Sequence, residues 1–258
     1  MQPDLNVVSL VSIGRHPSSG RERRSEQDGR AVELGLKLAG TGLTALHAGA
    51  AEAPALRSYA GMGLPTIKVL EQNPDADAVP RIIDYLKSAS PDIVLTGVRA
   101  ESGESSGMLP YLLGNALGWP VVTRIADIVK VENGKAEILQ ALPRGQRRAL
   151  SVSLPFVASV DLAAAEPRQS AYGPGSRAQM ETLTDCGTVD VEKKNWSEAP
   201  ARKRPKRLKV VKAKTAADRF KAATAKVQGG GGKVLKDQPA SEQAQAIFDL
   251  LLEEGVIR

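Results

Sequence analysis

The stretch that decides the fold is Pro91–Pro120, PDIVLTGVRAESGESSGMLPYLLGNALGWP. Ile93–Leu95 is an aliphatic strand, and Gly97 follows it. A loop of small and polar residues, Glu101–Gly107, then leads into an apolar helix over Ser106–Leu117, which Gly118 and Pro120 stop. Strand, glycine-bearing loop and helix N-terminus, in that order, present backbone N–H groups to an anion. Gly103 and Gly107 allow close backbone approach, and Ser105 and Ser106 add hydroxyls. The plainer reading is a turn and a capped helix. No Walker lysine follows Gly107 and no GxGxxG follows the first strand. Nucleotide hydrolysis and the ordinary dinucleotide fingerprint are therefore both unsupported.

Upstream, Asn6–Ile13 reads as a strand buried on both faces, Leu43–His47 as a second and Thr66–Leu70 as a third. Between them, Asp28 is placed to cap a helix carrying Val32, Gly35, Leu36 and Ala39, and Pro54–Met62 is a short helix with Pro in its first turn. Asp77 opens a helix striped with Val79, Ile82, Ile83 and Leu86, stopped at Ser90-Pro91. This alternation predicts an α/β fold: a doubly wound, mostly parallel, Rossmann-like sheet. Ligands of such sheets bind beyond the carboxyl ends of the strands. The loops to watch are Gly14–Asp28, Ala48–Ala53 and Gly97–Gly107.

After Pro120 the pattern turns to β-structure. Asp127–Glu132 and Lys135–Gln140 flank Asn133-Gly134, a hairpin signal, and Arg148–Leu154 and Phe156–Val160 continue it. These strands are expected to extend one edge of the sheet. Residues 1–161 are thus expected to form the nucleotide-binding domain, and 162–258 an extended arm that ends in a helix over 241–254. That helix carries Ala244, Ile247, Leu250 and Leu251 at helical spacing and needs a surface, on this chain's body or on a partner.

At 258 residues, with 42% hydrophobic and 25% charged residues, the chain has the makings of a globular core. The N-terminal apolar patch has no basic region ahead of it, unlike a secretory signal. One cysteine, Cys186, excludes an internal disulfide and a Cys-based zinc site and points to a reducing, cytoplasmic setting. The net charge of +6 is uneven: segment 193–214 holds ten Lys and Arg against one acid, Glu198, a net +9 that leaves −3 for the remainder. Such an arm binds nucleic acid or acidic lipid by charge alone. Aromatic content of 3% is low for base stacking, so a solvated arm on an acidic partner is at least as good a reading. His47, at a strand end, reads as a hydrogen-bonded structural histidine, His16 as solvated, Trp119 as packing and Cys186 as a spectator. No metal-ligand cluster is present in the sequence pattern.

Taken together the segments resemble the electron transfer flavoprotein β subunit family. SGMLPYLLGNALGWP, positions 106–120, is similar to that family's helix from Thr-Gly-Gln to Leu-Leu-Gly-x-Pro, through Gly107, Leu117, Gly118 and Pro120. DIVLTGVRA resembles its strand Asp-Leu-Val-Leu-x-Gly-x-Gln-Ala through Asp92, Val94, Leu95, Gly97 and Ala100. ALRSYAGMG at 55–63 is similar to Ala-Leu-Arg-x-x-Leu-Ala-Met-Gly, Glu166-Pro167-Arg168 to Asn-Glu-Pro-Arg, and the terminal EEGVI is a familiar ending.

The resemblance implies an electron carrier without catalytic residues of its own. It would pair with an α subunit holding most of an FAD site, and bury a structural AMP, with FAD in its place as the alternative. Electrons would come from a flavoprotein dehydrogenase and leave to a membrane quinone oxidoreductase. The AMP contacts carried over are Ser12; Glu26, Gln27 and Asp28; Ala48; Gly103, Glu104, Ser105, Ser106 and Gly107; and Thr123. Tyr172 falls where the family docks its dehydrogenase. The departures are concentrated at the site: Ser25-Glu26-Gln27-Asp28 for Asn-Pro-Phe-Asp, Ser102–Gly107 for Asp-Gly-Asp-Thr-Gly, Arg144–Arg148 for an acidic turn, and Gln169 for Tyr. Two other functions are compatible with the residues. One is a stand-alone adenine-nucleotide sensor, for which the arm and terminal helix have no use. The other is nucleic-acid binding through 193–214.

Overall fold

The computed structural model describes residues 5–73, 75–101, 105–184, 189–197, 199, 215–224, 235–236, 238–254 and 256. Residues 1–198 form one compact unit and 199–258 another. In the first unit the chain runs β1 (Val7–Leu10), β2 (Ile13–Arg15), β3 (Glu22–Arg24), α1 (Glu26–Ala39), β4 (Thr44–Gly49), α2 (Pro54–Ala60), β5 (Thr66–Glu71), α3 (Ala78–Ala89) and β6 (Ile93–Gly97). It continues through α4 (Leu109–Leu117), β7 (Val121–Glu132), β8 (Lys135–Ala141), β9 (Arg147–Ser153), β10 (Phe156–Val160), α5 (Tyr172–Arg177) and β11 (Gln179–Thr184).

Among the described residues nine strands form one sheet in the order β11-β5-β4-β1-β6-β10-β7-β8-β9. The neighbours from β11 to β7 are parallel, and β8 and β9 are antiparallel. Two apolar clusters fill the two faces. Side chains of α1 and α2 pack with Val7, Ala45 and Ile93, and those of α3 and α4 with Val8, Leu46 and Val94. Adjacent residues of one strand thus face opposite layers, and this is the doubly wound α/β fold expected of the sequence.

Local signals act as their chemistry requires. The Asp77 side chain accepts the Val79 N–H at 2.9 Å and starts α3, and Ser90 closes it in the left-handed region ahead of Pro91. Asn133 and Gly134, at φ 53° and 72°, make the two-residue turn between β7 and β8.

Three features differ from the sequence reading. β10 does not lie at the edge but between β6 and β7, with all five residues buried. FVASV contains no alternating polar face, so it gains most where both faces are covered, each large aliphatic or aromatic side chain contributing roughly 1.5–3 kcal/mol on burial. The expected loop Gly14–Asp28 holds a hairpin, β2–β3. The chain beyond 161, read as an arm, crosses α1 and returns as β11 on the far edge, in parallel register with β5. Clasps hold this crossing. Arg30 Nη1 donates to the Ala164 carbonyl at 2.5 Å, and Arg168 grips Glu33 with two bonds of 2.8 Å. That pair holds the Glu33 carboxyl below its ordinary range.

The second unit contributes α6 (Ala216–Thr224) and α7 (Ala240–Glu253). Helix α7 has Pro239 at its cap position and Ser241 inside its first turn. Ile247, Phe248, Leu250 and Leu252 are exposed along it. Cys186 and most of the basic segment 193–214 lie outside the described residues. Among the described residues no helix is long and apolar enough to cross a membrane, and no group of three or more His, Cys, Asp or Glu could hold a metal ion.

Gly61, after α2, is in contact with the returning chain: it accepts the Ala171 N–H at 2.9 Å, and a Cβ on it would strike Ser170 Oγ and lie 2.7 Å from the Ala171 carbonyl oxygen. Gly61→Ala is therefore expected to destabilise the fold by about 1–3 kcal/mol, the usual cost of overpacking, in urea denaturation. A change within a few tenths of a kcal/mol would show that the crossing segment is not held there.

Candidate functional site

The carboxyl ends of β1, β4 and β6 open into a cleft of about 290 Å³, at the point where the chain switches from building one side of the sheet to building the other. One buried carboxylate builds its floor. Asp28 was expected to cap α1; it is instead the third residue of that helix, 4% exposed, with Ser25 at the cap position. Its Oδ2 accepts the Ser12 N–H at 2.9 Å and the Ser12 hydroxyl at 2.5 Å, and its Oδ1 accepts the Gly97 N–H at 3.0 Å. The residue after the β1 bend and the last residue of β6 are thus tied to α1 by one side chain. Burial pushes the Asp28 carboxyl up to about 6 despite these bonds.

Tyr59 completes the floor from below. Its hydroxyl accepts the Ser25 N–H at 2.9 Å and donates to the Ser12 carbonyl at 2.8 Å. Burial, and then the Asp28 charge, push this phenol well above its ordinary range. A second carboxylate closes the N-terminus of α1. Glu101 Oε1 accepts the Glu26 N–H at 2.9 Å, while its Oε2 accepts two bonds from Arg23 at 3.1 and 3.2 Å. Glu101 thus meets the first N–H at the positive end of α1.

Further donors lie on the other side of the cleft. Helix α4 begins at Leu109 rather than at Ser106, because Gly107 takes φ 75° and Pro110 stands in the first turn. Ser105 donates its hydroxyl to the Ala100 carbonyl, and Ser106 Oγ accepts the Met108 N–H at 3.3 Å. Among the described residues no hydrogen bond uses the N–H groups of Ser106 or Gly107. A Cβ at Gly107 would come within 2.9 Å of the Val98 carbonyl, so the turn is built for glycine. Val79, Ile82, Met108 and Leu112 supply an apolar wall.

Of the residues expected to bind nucleotide, Ser12, Asp28, Ala48, Ser105, Ser106 and Gly107 line this cleft together. Glu26 and Gln27 face an adjoining cavity instead, where Glu26 pairs with Arg30 at 3.2 Å and Gln27 accepts the Arg99 N–H at 3.1 Å. Thr123 is not a lining residue; its carbonyl accepts Gln140 Nε2 at 2.9 Å. Gly103 and Glu104 lie outside the described residues. Tyr172 opens α5 and is 90% exposed. His47 is buried with Nδ1 2.9 Å from the Val11 carbonyl, and since a carbonyl only accepts, Nδ1 carries the proton. Burial lowers its pKa, so the ring is neutral near pH 7. Trp119 packs against the core.

Sequence reasoning did not single out Arg15 and Arg99. Arg15 ends β2 and Arg99 follows β6, and the β2–β3 hairpin brings both residues to one cavity.

A doubly wound α/β body with an open cleft at its switch point defines a protein of Rossmann-like fold class. The profile of the electron transfer flavoprotein domain matches residues 21–194. The chain is also 52% identical over 262 residues to the electron transfer flavoprotein subunit beta of Chromohalobacter salexigens, a match that covers all of this chain and 98% of that protein. It belongs to the electron transfer flavoprotein family, among the β subunits.

Asp28→Ala leaves the Ser12 and Gly97 N–H groups unmatched and is expected to cost about 2–4 kcal/mol in urea denaturation. The pH dependence isolates the charge. A carboxyl raised from 3.8 to about 6 holds its proton in the folded state over the range where the unfolded chain releases it. Its contribution is therefore fully present below about pH 4 and lost as pH rises through 6. The unfolding free energy of wild type minus that of Asp28→Asn should fall by about 2 kcal/mol from pH 4 to 7. A flat difference would contradict the assignment.

Proposed function

We propose that this chain pairs with an α subunit into a heterodimer that carries single electrons. In this reading they pass from a flavoprotein dehydrogenase towards a membrane quinone oxidoreductase, in the cytoplasm. The α subunit holds most of the FAD site and this chain completes it. The flavin supplies the redox chemistry, and this chain's residues bind, orient and exclude water. The cleft takes AMP as a structural nucleotide, with FAD in its place as the alternative occupant.

The observation that carries the reading is the cleft itself. The unused N–H groups of Ser106 and Gly107 suit a phosphate, the glycine turn leaves room for it, and the aliphatic wall of Val79, Ile82 and Leu112 suits a base. Asp28 then acts as the brace that sets Ser12 and Gly97, not as a ligand contact. The exposed apolar residues of α7 support a partner subunit, and fully exposed Tyr172 supports docking of the donor dehydrogenase.

Co-expression with an electron transfer flavoprotein α subunit tests this directly. A yellow complex whose flavin absorbance bleaches on addition of the donor dehydrogenase and its substrate is expected; two chains that purify separately and colourless would overturn the heterodimer. Gly107→Asp puts a side chain and a negative charge into the phosphate turn. Added AMP should raise the melting temperature of the wild type and leave this variant unmoved, whereas equal shifts would place the phosphate elsewhere.

A further inference from the structure

The antiparallel ribbon β7–β8–β9 lies wholly within the described residues, and its charge is unevenly placed. Around the Asn133-Gly134 turn, lysines and acids answer each other: Lys130 Nζ lies 3.5 Å from Glu132 and 3.3 Å from Glu137. The other end of β8 leads into Pro143-Arg144-Gly145-Gln146-Arg147-Arg148, which holds three arginines and no acid. Arg147 stands opposite Ala141 and Arg148 opposite Gln140, so neither cross-strand position offers a carboxylate. All three arginines are exposed, and among the described residues none pairs with an acid. The turn that carries them is held: the Leu142 N–H donates to the Gln146 carbonyl at 3.0 Å, and Arg147 Nη1 donates to the Gly145 and Gln146 carbonyls at 3.4 and 3.0 Å. Adjacent strand residues point to opposite faces, so Arg147 and Arg148 diverge around the turn instead of converging on a pocket. Diverging charges on a fixed turn make a local field, not a small-ligand site.

We propose that the Pro143–Arg148 turn is an electrostatic steering patch for an acidic face of the donor dehydrogenase, a proposal that rests on the carrier reading above. Three uncompensated arginines call for an acidic partner. No large exposed hydrophobic side chain lies between residues 142 and 153. A permanent subunit contact has an apolar core, and a lipid surface held by only three charges needs an apolar anchor; the turn offers neither. A redox partner that arrives, hands over electrons and leaves gains from charge alone, because steering acts mainly on the association rate.

The test is stopped-flow reduction of the complex with its α subunit by the substrate-loaded donor dehydrogenase, over a range of salt. For Arg144→Gln/Arg147→Gln/Arg148→Gln the second-order rate constant is expected to fall roughly tenfold at about 20 mM salt and to meet the wild-type value at about 500 mM, where screening removes the field. The limiting rate at saturating dehydrogenase should not move. Arg148→Gln alone, whose side chain makes no hydrogen bond among the described residues, should lose about two- to threefold and keeps the test open if the triple variant folds poorly. Lys87→Gln/Lys135→Gln removes exposed charge away from the turn and should stay within about a factor of two of wild type. Wild-type rate constants and salt dependence in the arginine variants, a loss that persists at high salt, or an equal loss in the lysine control overturns the patch and leaves the carrier reading standing. A wild-type complex that the dehydrogenase does not reduce overturns both.

Discussion

One carboxylate determines how the centre of this molecule is put together. Asp28 joins the turn after β1, the last residue of β6 and the first turn of α1 through three hydrogen bonds of 2.5–3.0 Å. Those strands are neighbours at the middle of the sheet, where the connections diverge to left and right. Backbone N–H groups at such strand ends have no partner in the ladder and must find one. Because Asp28 takes two of them, and Glu101 takes the Glu26 N–H at the start of α1, those groups are already satisfied.

The cost of that arrangement is a buried charge, and the structure limits it. Ser12 supplies two donors, Gly97 a third, and Tyr59 holds Ser12 from its other side. Even so, burial wins over the hydrogen bonds and the carboxyl sits near 6. A fixed acid in the floor also repels a phosphate placed against it, which favours the serine- and glycine-rich side of the cleft. Division of labour follows: Asp28 and Tyr59 brace the floor, and Ser105, Ser106 and Gly107 line the cleft opposite.

Much of this was legible in the sequence, for identifiable reasons. Strands and helices of the first 120 residues announced themselves through uninterrupted Val/Leu/Ile runs, helical stripes and Pro or Gly stops, all of which are local. The loops around the cleft were legible too, since strand-end position follows from element order. What was not legible depended on distant partners. FVASV has the same appearance in an edge strand as in a central one, and only its place between β6 and β7 explains its full burial. QMETLT, inside a polar stretch, becomes a strand because β5 offers an open edge. Asp28 stood where helix caps stand, and nothing local says that Ser12 and Gly97 compete for it. Arg15 and Arg99, 84 residues apart in the chain, line one cavity only because the hairpin forms.

The central claim is that the cleft at the ends of β1, β4 and β6 holds a nucleotide apart from the flavin of the complex. Denaturing the purified complex with its α subunit and separating the released small molecules by chromatography tests it most directly. The account predicts about one adenine nucleotide in the cleft for each flavin of the α-subunit site, in addition to that flavin. Release of the one flavin alone, with no second nucleotide, would contradict it.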